Sequence, residues 1–354
     1  MDQQKPDMPV LVGLDGFVDT ILKVVKQRQD ADRFEPFASM ADWAQKIQEA
    51  AGYSANFELV TEMVKLGGNG PIMANALYQL GCQTTYIGNL GYPHVHPIFE
   101  EFSTRATVYS IAEPGYTDAL EFKDGKLMCG KHISLRDINW ATLTKEVGLE
   151  KMRQLFAEAK IAALVNWTMI TTMTDIFEHL QKEVLPKADN PNGYLFFDLA
   201  DPAKRSREDI ALALQTIANF REHRRVVLGL NQKESHQIAE TLGVISGQNS
   251  QETLTHQAAA IRGAMQIHSV VIHPTQFAVA ATVDDRAGVV GPYTADPKIT
   301  TGGGDHFNAG FILGMAFGLP LEQSLQMAVA TSGYYVRNAE SPTLSQLSEF
   351  LGEL

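Results

Sequence analysis

Six short apolar runs, spaced along the chain with helical patterns between them, set the tightest limit on its fold. They are Val10–Leu14, Thr84–Gly88, Ile161–Asn166, Tyr194–Leu199, Val226–Leu230 and Ser269–His273. A run that is apolar at nearly every position fits a strand buried on both faces. Between the runs, Met73, Ala76, Leu77 and Leu80 repeat at i, i+3, i+4 and i+7, and Met152, Leu155, Phe156 and Ala159 follow the same spacing. Strands alternating with helices predict an α/β fold, a mostly parallel sheet with helices on both faces.

Two regions interrupt this alternation. Thr117–Phe122 and Leu127–Lys131 flank Lys123-Asp-Gly-Lys126, a hairpin signal in which Asp124-Gly125 supplies the positive-φ turn. Residues 20–66 hold a helical stretch (Ala41–Ala50) and a strand-like piece, Glu58–Lys65. The expectation is one domain over residues 1–354 with a small antiparallel sheet, built from parts of 20–66 and 107–132, outside the main sheet. Such an insertion is either an edge decoration or a lid over a pocket.

The chain carries 29 Lys and Arg against 41 Asp and Glu, a formal charge of −12. That balance gives no footprint for a nucleic-acid backbone or an anionic membrane surface. Two cysteines, Cys82 and Cys129, are too few for a disulfide framework. The amino terminus is polar, and the longest apolar stretch, Ala309 to Leu321, is broken by glycine and too short to span a bilayer. A soluble cytoplasmic protein is expected.

Four local patterns carry chemistry. Thr301-Gly302-Gly303-Gly304-Asp305 leads into an apolar helix with Phe307, Phe311 and Met315 along one face. Glycine amides at a helix amino terminus suit an anion, above all the charge of a transferring phosphoryl group, and Asp305 could accept a hydroxyl proton there. The ordinary alternative is a glycine turn with Asp305 as N-cap. Gly67-Gly68-Asn69-Gly70-Pro71 opens another helix, where Gly68 and Asn69 either face a polyhydroxyl ligand or make a tight turn. Asn231-Gln-Lys-Glu234 could hold a hydrated divalent cation, although the spacing alone favours a capping box. Asp15 and Asp19 follow the first strand, placed either to accept sugar hydroxyls or to cap a turn.

Taken in order, these pieces resemble the ribokinase-like (PfkB-type) carbohydrate kinases. That family's late Thr-x-Gly-Ala-Gly-Asp and Phe-x-x-Gly-Phe match Thr301–Asp305 and Phe307–Phe311. Its early Gly-Gly-x-Gly looks like Gly67–Gly70, its Asn-x-x-Glu like Asn231–Glu234, and its Asp after the first strand like Asp19, with Asp15 close by. The resemblance runs from about Pro9 to the carboxyl terminus. It implies transfer of the γ-phosphoryl group of ATP to a hydroxymethyl group on a sugar or nucleoside. Asp305 would be the base, the amides of Gly302, Gly303 and Gly304 the anion hole, and Asn231 and Glu234 the help for Mg²⁺, through water. Asp15, Asp19, Gly68 and Asn69 would meet the acceptor, and Asn231, Thr301 and His273 the nucleotide. Asn166, at the end of a strand-like run, either faces the pocket or caps the strand end. The hairpin would be the lid, and a homodimer paired through lids is compatible with the family.

Three departures stand out. Ile299 replaces the Asp usual two residues before Thr301, His306 follows Asp305 in place of a small or hydroxyl residue, and Ile272-His-Pro-Thr-Gln-Phe277 lacks the glycines of the family's nucleotide loop. Asp198 is retained from an Asp-x-Asn-x-Arg segment whose Asn is not, and Lys204 and Arg205 follow it. A nucleoside kinase on the same scaffold, or a sugar-binding regulator without turnover, are the competing expectations. No Gly-x-Gly-x-x-Gly follows the first strand, which argues against a dinucleotide-dependent dehydrogenase.

Overall fold

A computed structural model describes residues 8–244 and 247–353. The polar amino terminus that bears on targeting lies outside the described residues. The strands are β1 (Pro9–Leu14), β2 (Phe17–Arg28), β3 (Phe34–Pro36), β4 (Leu59–Gly67), β5 (Gln83–Gly88), β6 (Thr107–Ser110) and β7 (Gly115–Phe122). They continue with β8 (Gly125–Lys131), β9 (Ile161–Val165), β10 (Tyr194–Asp198), β11 (Arg225–Leu230), β12 (Ser269–Ile272), β13 (Phe277–Thr282) and β14 (Arg286–Val290).

The main sheet has nine strands in the order β14-β13-β12-β11-β10-β9-β1-β5-β6. All neighbours from β6 to β12 pair parallel, and β13 and β14 close the edge antiparallel. The six apolar runs are its central strands. Alternate residues divide between two cores: Leu11, Phe197, Leu228 and Val270 pack on one face, and Val12, Phe196, Val227 and Val271 on the other. This two-sided burial is why the runs read as continuously apolar. The helix Gly303–Ala316 lies in the second core, buried almost all round. At Gly310 and Gly314 an added Cβ would come within 2.6 Å of Thr331 Oγ1 and 2.9 Å of Ser324 Cα. The missing side chains let the helix Leu321–Asn338 lie close alongside.

The small sheet is real but differs from expectation in three ways. It begins at Phe17, because β2, whose regular pattern is broken by bulges at Ile21/Leu22 and Val25/Gln27, is its central strand. It is mixed, since β2 pairs antiparallel with β3 and β4 but parallel with β7. Residues 107–110 belong to the main sheet as β6, beside β5. The hairpin of β7 and β8 forms as expected, with Gly125 at φ +149°. Among the described residues no helix is long and apolar enough to cross a membrane.

Candidate active site

Asp15, Asn166, Asp198, Asn231 and His273 fall at the carboxyl ends of β1, β9, β10, β11 and β12, where open parallel sheets hold ligands. Over that edge stands the amino terminus of the helix Gly303–Ala316. Gly302 takes φ +92°, a left-handed conformation natural to glycine, and turns the chain into the helix. Asp305 is in the first helical turn and buried, and Asn69 Nδ2 donates to its Oδ1 at 2.9 Å. Burial, reinforced by the charge of Asp198, pushes its carboxyl well above the ordinary range. One turn on, Asn308 Nδ2 donates to Asp198 Oδ2 at 2.7 Å, while the Ala200 amide donates to Oδ1 at 2.8 Å. Burial and the neighbouring Glu234 charge raise Asp198 to about 7. Ala200 and Asp201 both adopt positive φ (58° and 60°), strained backbone of the kind that clusters at working sites.

Several of the expected residues are hydrogen-bonded to one another or to the backbone. Asp15 is fully buried, and its carboxylate accepts from the amides of Asn69 (3.0 Å) and Gly70 (2.8 Å) and from Asn166 Nδ2 (2.7 Å). It holds the start of the helix Asn69–Gln79, and through it the residue that grips Asp305. Burial raises its carboxyl to about 6 against these hydrogen bonds. Asn166 is spent on the same cluster, donating to Asp15 and accepting from the Met169 amide at 3.3 Å. Gly68 lies against Asp15, where an added Cβ would stand 3.0 Å from its Oδ2. Replacing Asp15 with Ala is expected to destabilise the protein by about 2–4 kcal/mol, because three donors, two of them buried and one partly buried, lose their acceptor. Urea unfolding measures this, and an unchanged midpoint would remove Asp15 from that role.

Asn231 and Glu234 form a reciprocal capping box. Asn231 Oδ1 accepts from the Glu234 amide at 2.9 Å, and Glu234 Oε2 from the Asn231 amide at 2.8 Å. The other Glu234 oxygen accepts from the Asp201 amide at 2.8 Å. Among the described residues no three His, Cys, Asp or Glu side chains are grouped to hold a metal directly.

Two cavities flank the glycine turn. The larger, about 1180 Å³, lies between the small sheet and the main body and is lined by Asp19, Lys65, Lys126, Thr301, His306 and Tyr335 among others. The smaller, about 330 Å³, meets Gly303, Gly304 and His273 and has walls that include Pro274, Phe277, Pro292 and Val336. Thr300 borders both. His273 packs its ring 4.7 Å from that of Phe307, and burial pushes it down to about 4, so it is neutral near pH 7. Asp19, on β2, is buried, and burial raises its carboxyl even with Lys65 opposite on β4. Thr301 belongs to the large cavity rather than the small one. Its hydroxyl accepts from Lys126 Nζ, the small sheet's contact with the turn. Lys126 and Lys65 were not anticipated. A lysine beside an Asp-Gly hairpin reads as solvated, and nothing local reveals that the strand folds back over residue 301.

A doubly covered sheet, a second sheet roofing its carboxyl edge and a buried Asp behind a glycine turn define a ribokinase-like carbohydrate kinase, an enzyme that phosphorylates an alcohol group of a sugar. More particularly, the chain belongs to the prokaryotic ketohexokinase (Khk) family, whose family model matches residues 2–354. A ketohexokinase of Haloferax volcanii is 32% identical over 346 residues, covering 96% of this chain and 90% of its own. Among solved structures, Arabidopsis thaliana ribokinase complexed with ribose and ATP superposes with TM-score 0.68 at 15% identity, over 98% of this chain and 99% of its own. The nucleoside kinase of Methanocaldococcus jannaschii gives TM-score 0.63 at 14% identity, over 98% and 99%. At such identities these two structures share the fold.

Proposed function

We propose that the protein transfers the γ-phosphoryl group of ATP to a hydroxymethyl group of a ketohexose, with Asp305 as general base and the glycine turn as the site for the transferring group. The observation that carries this is the placing of Asp305: buried in the first turn of a helix and oriented by Asn69, beside a glycine turn that borders one cavity with polar, charged walls through Thr301 and another walled largely by apolar side chains through Gly303 and Gly304. The sugar occupies the cavity of Asp19, the nucleotide that of His273 and Gly304. Asp305 accepts the proton of the attacking hydroxyl, and helix-terminal amides receive the charge of the phosphoryl oxygens. The Gly303 N–H closes a turn on the Thr300 carbonyl at 3.2 Å, so the amides of Gly302 and Gly304 carry most of this duty. Lys126 adds positive charge from the small sheet, which acts as the lid and keeps water from competing as acceptor.

The residues present fit Mg²⁺ bound chiefly by nucleotide phosphates and water. Asp198 and Glu234 are buried carboxylates whose charges oppose one another, and with Asn231 they would hold the ion through its water. When bound, the ion neutralises phosphate charge.

ADP formation with Mg·ATP across ketohexoses, aldoses, sugar acids and nucleosides tests the proposal. Turnover on a ketohexose above all others is expected. Turnover confined to nucleosides, or sugar binding with no ADP formed, would sink it. Asp19→Ala is expected to raise the sugar KM about 10–100-fold, from loss of charged hydrogen bonds to hydroxyls. An unchanged KM would move the sugar elsewhere.

A further inference from the structure

The imidazole after Asp305 does work that none of the site roles above assigns. His306 is buried, and its ring lies 3.6 Å from that of Tyr335, tilted by 14°. The Gly302 carbonyl is 2.7 Å from His306 Nδ1 and also accepts from the His306 amide at 3.0 Å. A carbonyl only accepts, so Nδ1 bears the proton and Nε2 is the acceptor. Nε2 meets Ser341 Oγ at 2.7 Å, and that hydroxyl is aligned by Asn75 Nδ2, which donates to it at 3.1 Å. Asn75 is held in turn by Arg105 at 3.1 Å. The chain of donors therefore runs one way, from Arg105 to the Gly302 carbonyl. Beside it, Tyr335 donates its hydroxyl to the Thr301 carbonyl at 2.9 Å.

Carbonyl and N–H point in opposite directions across a trans peptide, and both peptides here are trans. Holding the Thr301 carbonyl therefore aims the Gly302 amide. Holding the Gly302 carbonyl fixes the peptide whose Gly303 N–H closes the turn on the Thr300 carbonyl, so that the turn keeps one geometry and its Gly302 and Gly304 amides keep theirs. We propose that His306 and Tyr335 are positioning residues, a stacked pair whose hydrogen bonds to the Gly302 and Thr301 carbonyls set the direction of the turn's amides for phosphoryl transfer. The role rests on the glycine turn being the phosphoryl site. Burial pushes His306 down to about 4, which keeps its Nε2 an acceptor near neutral pH.

The test compares wild type, His306→Phe, His306→Asn and Tyr335→Phe for kcat, both KM values and the melting temperature. His306→Phe and Tyr335→Phe keep the stack and each lose one carbonyl bond. Each is expected to lower kcat about 10–100-fold, the scale of a small misplacement in a reacting site, with both KM values within about two-fold. His306→Asn, whose Nδ2–H can stand in for Nδ1–H, should recover most of that loss. Full kcat in both Phe variants would overturn the proposal. So would variants that lower the melting temperature and kcat together and raise both KM values, with no rescue by Asn, since that marks packing alone. Gly302→Ala separates the two layers. If it and the Phe variants all turn over like wild type, the turn is not the phosphoryl site; if it fails while the Phe variants work, only the positioning role falls.

Discussion

Asp305→Asn is expected to lower kcat by about 10²–10⁴-fold, the usual contribution of a positioned general base, while the sugar KM stays within a few-fold. The substitution keeps the volume and can still accept from Asn69 Nδ2, so the helix turn and cavity walls stay in place. Proton acceptance is what disappears. The same residue shapes the pH profile. A base must be ionised to act, and burial together with the Asp198 charge raises this carboxyl well above the ordinary range. Activity should therefore fall as pH drops through that raised pKa, on a limb lying above where a solvated Asp would place it. In the Asn variant the residual rate should lack that limb. A variant with wild-type turnover, or an unaltered acid limb, would give the proton to another group.

Gly302→Ala has the second largest expected effect, a loss of about 10²–10³-fold in kcat, comparable to removing one donor from an anion hole. The φ of +92° costs a side-chain residue about 1–3 kcal/mol. The new Cβ would also stand 3.0 Å from Tyr335 Oη and 3.2 Å from Ile72 Cγ2. The chain can relieve both only by rotating the peptides that aim the amides. Single-turnover measurements separate this from weaker ATP binding. Wild-type kcat in a folded variant would mean that the amides of this turn do not receive the phosphoryl group.

The acceptor is decided outside the fold. A ribokinase and a nucleoside kinase superpose on this chain about equally well, at 15% and 14% identity. The ketohexose assignment draws on family membership across residues 2–354 and on the polar cavity beneath the small sheet. Asp19, Lys65 and Lys126 on that sheet, with Thr301 below, are the groups to examine when sugars are compared.

The main sheet was legible because burial on both faces leaves a local mark, an unbroken apolar run, and each of the six runs is a central strand. The glycine turn and Asp305 were legible for a similar reason: a left-handed residue before a helix start is a local demand. Bulges hid β2, since they break the alternation by which a strand is read. Proximity across the chain left no local mark either. Asp15 and Asp19 are four residues apart in similar settings, yet one clamps a helix and the other faces a cavity. His306 acquires its role from Ser341 and Tyr335, and Thr301 meets a lysine 175 positions earlier. Residue order specifies which segments prefer strand, helix or turn. Which side chains share a hydrogen bond depends on how those segments pack, and there the division of labour in this site is settled.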